Sequence, residues 1–244
     1  MQHRLCLLAA AILLSSSAQA HQIWVETPAS GPAIIRFGEF GDNLREASPG
    51  LLDMFGAPSA TLLSGQAAKP LTVTKTADGF ALSARPANGD SIVAEDAAFP
   101  LHTSKVNGKE VVNWYWPAAR YVSGTGAHAA KLALDAVPTA TAGEFHITLK
   151  GQPLADAKVN IQVQSGWGKQ AHTNKQGLVR FDLPWQGQYV LEVIHTDSTP
   201  GERSTSEGPQ HYDSIRYVTT LAFNKPDGVP TLPAGPALAP NKRK

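Results

Sequence analysis

Cysteine is almost missing. The single one, Cys6, lies near the start of the chain, ahead of a small-residue stretch that reads as a cleavage site. Once it is removed with that leader, the mature protein can form no disulfide. It can also build no thiolate zinc site, so any metal must be held by nitrogen and oxygen ligands. A long apolar run is absent too: Leu5 to Leu14 is far shorter than the roughly 20 residues a membrane helix needs. Excess charge of either sign is lacking, since removing Arg4 with the leader leaves 20 Lys and Arg against 20 Asp and Glu. A neutral chain without a basic run excludes nucleic acid as a partner. There is no Gly-x-Ser-x-Gly elbow and no Gly-x-x-x-x-Gly-Lys loop, which removes the common serine-hydrolase and phosphate-cradling chemistries. Glycoside hydrolysis needs only two carboxylates, and no motif tests for it. Long helical periodicity is missing as well, while 21 Gly and 18 Pro punctuate the chain. That combination predicts an all-β protein.

What is present begins with the leader. Residues 1–20 carry Arg4, the apolar segment, and Ala18-Gln19-Ala20 as a small-x-small cleavage site. Cleavage there places the protein in the periplasm or outside the cell, with no membrane span remaining. It also exposes His21 as the first residue. The α-amine and imidazole of a terminal histidine together close a chelate ring on copper, nickel, cobalt or zinc.

Alternating apolar segments predict strands at Gln22–Glu26, Ala33–Phe40, Ala60–Leu63, Leu71–Lys75, Phe80–Ala84 and Ser91–Glu95. Gly38 suggests a bulge or close approach, Asp78-Gly79 a hairpin, and Asn107-Gly108 a turn. Asn43–Met54 alone has modest helical character. Trp114-Tyr115-Trp116 is read as a core plug or domain seam in preference to a stacking platform. Lys131–Pro138 reads as the last strand of a first β domain over 21–138, and Thr139–Gly143 as a linker. A second β-sandwich is expected over 144–224. The Pro- and Ala-rich segment 225–244 reads as a disordered tail.

Within the second domain, the run Gly151-x-Pro153-Leu154-x-x-Ala157-x-Val159, Thr173-x-x-x-Gly177, Phe181-x-Leu183 and Gly187-x-Tyr189 resembles transthyretin-like modules of the carboxypeptidase-regulatory kind. Over His21 to Phe223 the chain is similar to a NikM-like secreted family, described as the periplasmic component of nickel/cobalt uptake. The matching positions are His21, Trp24, Glu26, Arg120, Tyr121 and His195. The resemblance implies nickel or cobalt as the cargo and a membrane transporter component as a partner. The chain departs from a storage protein in lacking a dense histidine tract.

Of the mature histidines, none forms a His-x-His or His-Glu-x-x-His motif. His195 and His211 flank a polar loop between two strands expected to pair antiparallel, so they are candidates to meet at one end of a sheet, with Asp197 and Asp213 beside them. The candidate metal ligands are therefore His21, His195 and His211. A non-enzymatic metal-binding protein is the leading expectation. An interaction module without metal and a histidine-brace copper oxidase stand as alternatives.

Overall fold

The computed structural model describes residues 21–56, 58–124 and 126–241. The leader expected over residues 1–20, Cys6 included, lies outside the described residues. The protein is all-β, with one 3-10 turn at Leu51–Met54 where helical character was expected. Asn43–Met54 opens instead into a two-residue strand, because Leu44 pairs with Glu39 and buries its side chain.

Strands are numbered in chain order. The central layer is a ten-stranded sheet. It runs through β15 (Gly168–His172), β14 (Lys158–Val163), β17 (Trp185–Asp197), β20 (Ser214–Lys225), β10 (Lys109–Val122), β8 (Ser91–Glu95), β4 (Ser59–Ser64) and β5 (Ala67–Pro70). β9 (His102–Val106) flanks β10, and β21 (Val229–Pro230) flanks β17. One outer sheet holds β1 (Gln22–Glu26), β2 (Ile34–Glu39), β7 (Phe80–Leu82), β6 (Val73–Lys75) and β3 (Leu44–Arg45). The other holds β11 (Leu134–Pro138), β12 (Glu144–Leu149), β13 (Gln152–Pro153) and β16 (Leu178–Arg180). A ribbon of β18 (Gly201–Thr205) and β19 (Gly208–Tyr212) stands apart.

The two halves of the chain are joined through the central sheet. β10 and β20 pair in parallel from Asn113↔Ser214 to Val122↔Phe223, while their other neighbours are antiparallel. Alternation then separates the two cores, because successive side chains on a strand point to opposite faces. Tyr115, Ala119 and Tyr121 of β10, with Val190, Val218 and Ala222, join the core under β1 and β2. Trp114, Val122, Tyr189, Leu191, Tyr217 and Leu221 face β11 and β12. Each core is thus a sandwich, and the two share their middle sheet.

One reading changes in consequence, and the core reading of the aromatic triplet is refined. Thr139–Gly143 is the turn of the β11–β12 hairpin, because Leu134 and Ala136 bury with Phe145 and Ile147 in the same core. The aromatic triplet is split by parity: Tyr115 enters one core, while Trp114 and Trp116 stack at 4.6 Å on the other face, where Arg203 covers Trp114. The close approach at Gly38 is real, since a Cβ there would lie 2.3 Å from the Leu44 carbonyl oxygen. Asn107 and Gly108 both take positive φ, the geometry of a tight hairpin turn joining β9 to β10.

The tail is placed as far as Asn241. β21 pairs with Trp185 and Gln186, Asn43 donates its side-chain amide to Gly235 O, and the Leu238 N–H donates to Asn43 O. The Pro- and Ala-rich composition read as disorder is offset by these contacts along 225–241.

Arg120 and Asp135, both fully buried, tie the central sheet to β11. The guanidinium donates through Nε and Nη2 to the two carboxylate oxygens at 3.0 and 2.6 Å, and through Nη1 to Ser91. Asp135 also accepts from the backbone of Lys131, Leu132 and Ala136. Arg120→Met leaves that carboxylate buried and unpaired, and should cost about 3–5 kcal/mol in urea denaturation. A loss under 1 kcal/mol would contradict this role.

Candidate functional site

β1 brings His21 against the central sheet. Register with β2 is fixed by Gln22↔Gly38, and the Tyr115 hydroxyl donates to the His21 carbonyl at 2.7 Å. Thr220 donates likewise to the Ile23 carbonyl at 2.7 Å. The ring of His21 tilts against Phe37, with centroids 5.1 Å apart.

Carboxylates face the imidazole on both sides. Nε2 lies 2.6 Å from Oε1 of Glu46, whose side chain is wholly buried, and Nδ1 lies 3.5 Å from Oε1 of Glu39. That Glu39 oxygen is buried and has no hydrogen-bond partner. Burial raises the Glu39 carboxyl above its usual range, and Asp42 and Glu46 push it the same way against the pull of His21. Two carboxylates thus face one imidazole, with Asp42 beside Glu39, an arrangement that favours positive charge on or next to the ring. Glu46 accepts twice more, from the Asn241 backbone N–H at 2.8 Å and from its side-chain amide at 2.6 Å.

Further along the same interlayer, Glu192 projects from β17 toward the outer sheet. Burial pushes its carboxyl up to about 7, and Glu39 adds to the rise, against the hydrogen bond from Asn160 and the charges of Arg216 and Lys158. The phenol of Tyr115, also buried, is raised well above its normal range by desolvation.

The three expected ligands are not gathered. The strands carrying His195 and Ile215–Phe223 do pair antiparallel as expected. His195, however, sits opposite Tyr217 and shares its face, which belongs to the core under β11, on the far side of the central sheet from His21. The loop that was to join His195 to His211 folds into the β18–β19 ribbon. His211 there is exposed, opposite Glu202, with Nε2 3.2 Å from Asp213 Oδ1. Among the described residues no group of three His, Cys, Asp or Glu side chains is arranged to hold a metal ion.

Glu39, Glu46, Glu192 and Asn241 were missed because nothing in their local sequence separates them from other polar residues. Glu26 and Tyr121 serve the frame. Glu26 accepts from Trp24, Arg36 and Arg45. The Tyr121 hydroxyl accepts from Thr27 and Asn224. A separate cleft of about 780 Å³ opens at the far end of β10, floored by Val122, Phe145, Phe181 and Phe223 and rimmed by Lys169 and Arg180.

Compared with family profiles, curated proteins and solved structures, the chain matches none. Among the described residues no helix is long and apolar enough to cross a membrane.

Glu192 gives a signed prediction. Its folded carboxyl favours the proton, so its contribution is intact below pH 4.5 and is lost as pH rises through about 7. The loss amounts to at most about 3 kcal/mol. Glu192→Gln should match the wild type in urea midpoint at pH 4.5 and exceed it at pH 8. Parallel pH curves for the two proteins would contradict it.

Proposed function

We propose that this is an extracytoplasmic protein which binds one transition-metal ion at a mature N-terminal His21 and assists uptake or delivery of nickel, cobalt or copper. This reading takes cleavage after Ala20, two sandwiches sharing one sheet with the second of transthyretin-like kind, and kinship to the NikM-like family. The observation that carries it is the division of labour around the imidazole. Nε2 is engaged by Glu46, a carboxylate orienting a histidine through its far nitrogen. Nδ1, the nitrogen able to close a ring with the residue's own amine, is left facing the unpartnered oxygen of Glu39. Amine, Nδ1 and carboxylate make a nitrogen-rich set suited to copper(II) and nickel(II).

His195 and His211 stand apart from this set, on the far side of the central sheet and on the β18–β19 ribbon. An interaction module remains the other reading, favoured by the aromatic-floored cleft at the loop end of the second sandwich. The two readings part on stoichiometric metal.

Titration calorimetry of the protein starting at His21 should give about one Cu(II) or Ni(II) per chain. One extra residue ahead of His21 should abolish that binding, and Glu39→Gln should weaken it about tenfold. Undiminished affinity in the extended protein would overturn the proposal.

A further inference from the structure

The C-terminal segment returns to the N-terminal histidine. From the end of β20 it pairs along β17, crosses to Asn43 beside β3, and ends the described chain at Asn241. There the segment turns inward. The Asn241 backbone N–H donates to Oε2 of Glu46 and its side-chain amide donates to Oε1, so both oxygens of one buried carboxylate are held by one residue. The approach is tight: a Cβ on Gly50 would lie 3.1 Å from the Asn241 carbonyl oxygen.

A buried carboxylate is costly unless its lone pairs are satisfied. Glu46 meets that demand with three donors, two from Asn241 and one from the His21 ring. An ionised Glu46 can only accept, so its bond to the ring is made with Nε2 carrying the proton, and the two donors of Asn241 support that charged form. The amide nitrogen also lies 3.4 Å from Nε2, a long contact between two donors in this tautomer, so it is to Glu46 and not to the ring that Asn241 donates.

We infer that Asn241 is a positioning residue for the His21 site: by fixing Glu46 it holds the imidazole in the tautomer that leaves Nδ1 free for a metal ion. The inference rests on the proposed metal binding for its consequence, but not for its tautomer. Two ends of the chain, far apart in sequence, thereby complete one site, and the C-terminal segment acts as its outer wall.

The test uses the mature chain from His21, labelled with 15N-histidine, as wild type, as Asn241→Ala, and as a form ending at Pro240. Ring nitrogen shifts of the metal-free protein report the tautomer, and calorimetry with Cu(II) reports affinity. The wild type should show the Nε2-protonated ring. Both altered forms should mix tautomers and bind Cu(II) about tenfold more weakly, the usual effect of removing a group that orients a ligand. In a Glu46→Gln background, Asn241→Ala should have no further effect on either reading. Wild-type tautomer and affinity in both altered forms would overturn the inference and leave the metal site standing. A tautomer change in a protein that binds no Cu(II) in any form would support the positioning role and sink the metal reading instead.

Discussion

The parallel ladder between β10 and β20 is the constraint on which the rest of the protein depends. It joins Asn113 to Ser214, partners 101 residues apart, and makes one sheet out of strands from both halves of the chain. Once these strands are adjacent, the alternation of their side chains gives two apolar faces, and each must be covered. β1 and β2 cover one, β11 and β12 the other. The Arg120–Asp135 pair fixes the second cover with directional bonds that an apolar contact would not supply. Both flanking cores are then consequences of a single pairing.

That pairing also explains where the polar interlayer lies. Beyond the aromatic core under β1, the outer sheet presents Glu39 and Glu46, and the central sheet answers with Asn160, Glu192 and Arg216. Burying so many ionisable groups is unfavourable unless they pair or accept hydrogen bonds. Some do, as Glu46 shows. Others are left with raised carboxyls, as Glu39 and Glu192 show. Such imbalance marks places where a protein keeps polar groups for a purpose other than stability.

Much of the strand content was legible, because period-two alternation and turn residues are local signals. Gln22–Glu26 and Ser91–Glu95 have the ends expected of them, and Asp78-Gly79 does join two paired strands. The adjacency of β10 and β20 was not legible, since nothing in either segment names a partner a hundred residues away. The linker was misleading for a related reason: Thr, Ala and Gly compose an interdomain tether and a hairpin turn equally well. The aromatic triplet was half readable, for parity alone separates Tyr115 from its neighbours. At the site, only His21 had a distinguishing sequence context, the cleavage motif before it. The carboxylates around it look like any others, and His195 was paired with His211 on the premise that a loop between strands stays a loop.

The order in which the chain leaves the ribosome bears on the shared sheet. β1 emerges first, yet it rests on β10 and β20, and β20 is nearly the last strand made. A growing chain therefore holds Trp24 and its apolar neighbours without their final cover until almost all of it has been synthesised. With no cysteine after residue 20 to trap a partial structure, the protein must assemble late and all together.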